Sequence, residues 1–217
     1  MFNRIEDPVD AKMSKMMSKE SYYESGEEKF GILSTSLYNL FNLNPVIRKF
    51  YGFVHEDLSK YGPRTLLDIG SGTGTVLLRY ASDHNPEVAL GIDPSPFMVK
   101  YASKRAFKLG LSGKVSFVQG SSRYIPGNDK FEIITTSLSF HHWNNRLNSI
   151  PYLLSRTDGD GMFVVYEITG RKGFSRRIAK AHLMQRNEFE TISSELGINV
   201  DISEKNGFIR AAFRMKP

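Results

Sequence analysis

Nine residues, Leu66 to Gly74, read LLDIGSGTG, an apolar strand that runs straight into glycines at alternate positions, Gly70, Gly72 and Gly74. Glycine at that spacing lets the backbone take up positive φ and approach a ligand closely, and the helix that follows aims free N–H groups into the gap. A tight connection without a ligand is the competing reading of such a turn. The spacing narrows the choice of nucleotide. A dinucleotide fingerprint, G-x-G-x-x-G/A, needs a small sixth residue counted from Gly70, and that position holds Thr75. A nicotinamide dehydrogenase is therefore disfavoured. What remains is G-x-G-x-G with the acid Asp68 inside the preceding strand.

A chain of 217 residues supports one sizeable domain with a small appendage. Cysteine is absent, which excludes disulfides, thiolate catalysis and cysteine-ligated zinc. No uncharged apolar run approaches ~18 residues, so no membrane span is expected, and a cytoplasmic protein is the default. The net charge of +6 is unevenly spread: residues 1–60 carry 8 basic and 9 acidic groups, 61–150 carry 10 and 6, and 151–217 carry 11 and 8. Its densest cluster is Arg171, Lys172, Arg176, Arg177 and Lys180, with no acid among residues 171–180. That cluster suits an anionic metabolite, a nucleic acid backbone or an idle solvated helix face.

Residues 1–60 read as helical, with Met13, Met16 and Met17 on one side, Leu33, Leu37, Leu40 and Phe41 at helical spacing, and a break at Asn44-Pro45. Beyond Tyr61-Gly62-Pro63, strands alternate with helices. Strands are expected at 65–69, 88–92, 115–119, 133–137 and 162–167, and helices at 73–81, 96–109 and 145–154, an order that makes a parallel sheet covered on both faces. Ser95 with Pro96, and Gly110 beyond the end, bracket one helix. Asn187 and Glu190 have the spacing of a capping box, and Gly197 closes that helix. Strands 199–203 and 208–214, joined through Asn206-Gly207, form a terminal antiparallel hairpin. The expected division is a helical cap segment at 1–60 and an α/β body at 61–217.

These residues resemble the class I methyltransferases, in the branch that methylates small molecules. LLDIGSGTG is similar to the family's first motif, GIDPSPFMVKYASK (91–104) to its second, and FEIITTSLSFHHW (131–143) to its fourth-strand motif. The match covers residues 64–217. It implies a Rossmann-like three-layer sandwich, a mostly parallel sheet with an antiparallel C-terminal hairpin, topped by an N-terminal helical lid. The implied cofactor is S-adenosylmethionine. In that resemblance Gly70, Ser71, Gly72 and Gly74 lie against its methionine end and ribose, where a Cβ would collide, and Asp68 helps hold the amino group. Asp93, at the end of the second strand, accepts from both ribose hydroxyls, with Pro94 and Met98 flanking the adenine. Where the family commonly has an acid after the third strand, this chain reads Gly120, Ser121 and Ser122, whose hydroxyls accept more weakly than a carboxylate.

Methyl transfer from a sulfonium needs donor and acceptor held in line, and a base only where the acceptor must lose a proton. In the resembling family the end of the fourth strand is nearest the methyl group; here that position holds Ser137, and His141 beyond it is the candidate base or substrate contact. A packing or capping histidine is the plain alternative. Tyr22 and Tyr23, followed by Ser25-Gly26, suit an aromatic lid. No metal is expected, since Ser137 and Leu138 offer no carboxylate. The Asn/Asp-Pro-Pro-Tyr/Phe loop of enzymes that methylate exocyclic amines is missing at 137–142, which favours a small-molecule acceptor, anionic if the basic cluster serves it. Two alternatives stand: an RNA-binding or RNA-modifying protein that uses the 171–180 cluster, and a non-catalytic regulator that binds the cofactor.

Overall fold

The computed structural model describes Tyr22, residues 44–169 and residues 183–216. The Met13 to Met17 group, Tyr23, and the Arg171 to Lys180 cluster lie outside these residues.

Helix α1, Pro45–Tyr61, is set by its ends: the Asn44 side chain accepts from the Val46 N–H at 2.9 Å, and Gly62, at φ 57°, closes it. Ile47, Phe50, Val54 and Leu58 keep one apolar face buried along its whole length. It packs against the sheet, so this stretch of the 1–60 segment lies in the core of the body. Strand β1, Thr65–Ile69, leads into the glycine turn, and α2 begins only at Thr75, two residues later than expected. The cause is the backbone: Gly72 and Gly74 have φ of 51° and 75°, which no helix accommodates.

The chain continues through β2 (Val88–Asp93), α3 (Pro96–Lys108), β3 (Val115–Gln119), β4 (Phe131–Ser137), a 3₁₀ turn at Phe140–His142, and α4 (Arg146–Ser155). After these come β5 (Thr157–Ile168), α5 (Arg186–Leu196), β6 (Asn199–Lys205) and β7 (Phe208–Arg214). Strand β5 starts five residues before the expected Met162, with a register shift against β4 where Phe131 pairs with Thr157 and Ile133 with Met162. The extra residues, Asp158 to Gly161, form a bulge that the apolar pattern does not announce. Helix α5 is capped by Gln185 and Glu188, not by Asn187 and Glu190. The main chain explains the difference: the Met184 N–H bonds to Ile168 O at 3.1 Å, so the chain leaves the sheet edge there and coils at once. Glu190 instead meets Arg186 one turn back, at 3.6 Å.

The seven strands lie in the order β3-β2-β1-β4-β5-β7-β6. Strands β1 to β5 pair in parallel, and β7 runs antiparallel to both β5 and β6. The hairpin turns through Asn206 and Gly207, both at positive φ as a primed turn demands. Alternation along the strands feeds two cores. Leu66, Ile133, Val164 and Ala212 pack with α1, α2 and α3, while Leu67, Ile134, Phe163 and Phe213 pack with α4 and α5. The result is a three-layer α/β/α sandwich. One polar knot crosses the first core: Tyr166 donates to Asp57 Oδ2 at 2.8 Å, and the Arg210 guanidinium contacts Asp57, Asp201 and Tyr61. It ties α1 to β5, β6 and β7.

Candidate functional site

The C-terminal ends of β1 and β2 are joined by the glycine turn. The Ser71 N–H donates to Ile92 O at 3.0 Å, and the Gly74 N–H to Ser71 O at 2.8 Å. The three glycines are required for different reasons. A Cβ on Gly74 would run into the Phe117 ring and Ala102, and one on Gly70 into Ser139, so protein packing excludes side chains there. A Cβ on Gly72 would meet nothing nearer than a carbonyl oxygen at 4.0 Å. Gly72 faces open space, and of the three it is the one whose side chain would fill a cradle. At Gly70 and Gly74 the neighbouring side chains by themselves demand glycine.

Asp93 bridges the two loops. Its Oδ2 accepts from the Gly72 N–H and its Oδ1 from the Ser95 N–H, both at 2.9 Å. Burial pushes its carboxyl up to about 6, against the lowering effect of those two N–H donors. Asp68 is 2% exposed, and burial, followed by repulsion from Asp93, raises it well above the usual carboxylate range. Its Oδ1 has no hydrogen-bond partner among the described residues, and neither has the buried hydroxyl of Ser137 or of Thr136. Unpaired buried polar atoms on the ends of β1 and β4 mark places where a polar ligand completes the bonding.

The loop after β3 holds the remaining predicted contacts. Gly120 is confined by Tyr124 O, Pro126 and Ile92, and Ser121 accepts from the Arg123 N–H at 3.3 Å. The Ser122 hydroxyl is hydrogen-bonded to that of Ser149 on α4 at 3.1 Å. Met98 is buried in the first turn of α3 beside the Ser95 cap, and Pro94 offers its carbonyl to Gln119 Nε2 at 2.9 Å. Tyr22 stands against the ring of Tyr124 at 5.9 Å, with Arg123 Nη2 donating to its carbonyl at 3.3 Å. It therefore joins the β3 loop, three positions across the sheet from the β4 end that carries His141.

His141 sits in the 3₁₀ turn beyond β4, and it has a partner that the sequence did not suggest. Its Nδ1 lies 2.9 Å from Glu167 Oε2, and its backbone N–H donates to Glu167 Oε1 at 3.2 Å. Glu167 is fully buried at the end of β5. A carboxylate facing Nδ1 selects the tautomer that carries its proton there. Arg146 holds the same turn from below, donating to Phe140 O at 3.2 Å and His141 O at 2.9 Å. The signal for Glu167 was present as the one charge inside the apolar run MFVVYEI. Among the described residues no group of three or more His, Cys, Asp or Glu forms a metal cluster, and no helix is long and apolar enough to cross a membrane.

Residues 66–153 match the family model described as "Methyltransferase domain". By that match residues 66–153 form a methyltransferase domain. Similar proteins include a named methyltransferase. The chain is 26% identical, over 70% of its length, to the Ubiquinone/menaquinone biosynthesis C-methyltransferase UbiE of Pseudomonas savastanoi, and covers 59% of that relative. It is 31% identical over 90 residues to the Uncharacterized protein YjhP of Escherichia coli, covering 36% of it. The chain therefore spans less than two thirds of these relatives. A crystal structure of a putative S-adenosyl-L-methionine-dependent methyltransferase from Methanococcus maripaludis shares the fold, with TM-score 0.74 and 17% identity, covering 90% of this chain and 98% of that one. The residues present fit that methyltransferase cofactor: a cradle open at Gly72, an unpaired carboxylate oxygen on Asp68 for an ammonium, and Asp93 with lone pairs left for hydroxyl donors.

Proposed function

We propose that this methyltransferase moves a methyl group from S-adenosylmethionine to a small-molecule acceptor. The observation that carries the reading is the Gly72 cradle walled by two buried carboxylates, Asp68 and Asp93. When bound, the cofactor supplies a methyl group on a positively charged sulfur. The chain's own part is to hold and orient it. Asp93 takes the ribose hydroxyls, Asp68 the amino group, and Pro94, Met98, Gly120 and Ser121 surround the adenine. Relatives named as a ubiquinone/menaquinone biosynthesis C-methyltransferase and a demethylmenaquinone methyltransferase favour a small organic acceptor. Where that acceptor must lose a proton, His141, held by Glu167, is the base. The run of cations at 171–180 supports an acceptor with negative charge. Tyr22, packed on Tyr124, supports an N-terminal segment that covers the cofactor side.

Equilibrium dialysis with radiolabelled S-adenosylmethionine tests the reading. The intact chain should bind it, and Asp93→Ala should weaken binding ten- to a hundredfold, since a hydrogen bond to a charged group contributes about 1.5–3 kcal/mol. Failure of the intact chain to retain label rejects the assignment.

A further inference from the structure

Asp68 pairs with Gly91 across β1 and β2, and Asp93 lies two residues beyond Gly91, so the two carboxylates rise from neighbouring strands on the same face of the sheet. Both are buried. The Gly72 and Ser95 N–H groups serve Asp93, while Asp68 Oδ1 has no donor among the described residues. Neither carboxylate has a cationic partner among the described residues. From α3, Arg105 gives its Nη1 to Thr73 O and the Thr75 hydroxyl, at 2.6 and 3.1 Å. On the β4 side the facing residues are Thr135 and Ser137, which carry no charge, and Tyr166 on β5 is committed to Asp57 of α1.

Two buried anions on one face of the sheet repel each other and lose hydration, so one holds a proton where no cation is at hand. We propose that the Asp68–Asp93 pair carries a proton in the free protein and releases it when the cofactor's ammonium enters, which makes the cradle an exchanger of one proton for one cationic ligand. The inference rests on the cofactor reading above. The balance is simple: a carboxylic acid and an ammonium become a carboxylate–ammonium pair, and the proton passes to buffer. Burial, which raises both carboxyls, and repulsion from Asp93, which raises that of Asp68 further, support it. Two properties follow. Affinity for the cofactor rises with pH up to a plateau, and a nucleoside that lacks the ammonium gains nothing from the exchange.

The test is titration calorimetry of the full chain near pH 6, in two buffers of different ionisation enthalpy. At that pH the cofactor's α-amino group, with an ordinary value of about 7.7–8.0, stays charged, so any released proton comes from the protein. S-adenosylmethionine should release close to one proton, read from the difference in apparent enthalpy. With 5′-methylthioadenosine, which has no positive charge, the enthalpy should be the same in both buffers. Asp68→Asn should cut the release with S-adenosylmethionine to below about a third of a proton and flatten the pH dependence of affinity. If Asp68→Asn does not fold, the two ligands on the natural chain decide the matter alone. Cofactor binding with equal enthalpy in both buffers overturns the exchanger and leaves the cofactor reading standing. No binding in either buffer overturns the cofactor reading, and the exchanger with it.

Discussion

At the scale of single residues, Gly72 and Gly74 differ in what a methyl group would do to them. Both have positive φ, and alanine there costs about 1–2 kcal/mol of backbone strain. Gly74→Ala adds overpacking against Phe117, so we expect a loss of about 3 kcal/mol in urea unfolding. Gly72→Ala should lose only the strain, while cofactor retention in dialysis falls at least about tenfold, because its methyl group fills the cradle. Asp93 makes a prediction of a different kind. Its folded value near 6 lies above the unfolded carboxylate value, so the stability it contributes is fully present below about pH 4 and is lost as pH rises through about 6. Unfolding free energies of Asp93→Asn and the natural chain should therefore diverge by about 2–3 kcal/mol in favour of the variant between about pH 4 and pH 7. The glycines and both aspartates were legible in the sequence because a strand followed by alternate glycines has few other uses. Glu167 was not tied to His141, since contacts between residues 26 apart depend on β4 and β5 lying side by side.

At the scale of elements, most boundaries followed from local chemistry. Ser95-Pro96 and Gly62 stop and start helices through forces that act within four residues, and the Asn206-Gly207 turn fixes its own hairpin. The misplaced cap of α5 shows the limit of such reasoning. The spacing pointed to Asn187 and Glu190, and the tertiary bond from Met184 to Ile168 starts the helix earlier, with its cap at Gln185. Glu188→Ala should lower stability by about 1 kcal/mol, whereas Glu190→Ala, which removes only an exposed pair with Arg186, should change it by less than about 0.5 kcal/mol. Thermal unfolding of the two variants separates the assignments. The β5 bulge was hidden for a related reason: Asp158 to Gly161 read as loop residues, and only pairing with β4 makes them strand.

At the scale of the whole molecule, α1 is fastened to the far half of the sheet by the Arg210 knot. Arg210 is buried, with Asp57 nearly so and Asp201 largely exposed. Removing the cation leaves the largely buried Asp57 carboxylate with the Tyr166 hydroxyl but without its countercharge, so Arg210→Ala should cost about 3 kcal/mol by chemical denaturation. Alternation of strands and helices made the layered architecture legible, because buried parallel strands need helices on both faces. Which strands neighbour one another was not legible, since periodicity carries no record of lateral order. That order has a consequence of its own. The chain steps outward from β1 to β3 with its helices on one face, then returns to β4 on the other side of β1 and continues with helices on the opposite face. The segments leaving β1 and β4 must therefore part in opposite directions. They open a crevice at this switch in winding direction, whatever side chains occupy it. Topology makes the opening, and the glycines and carboxylates only select its occupant.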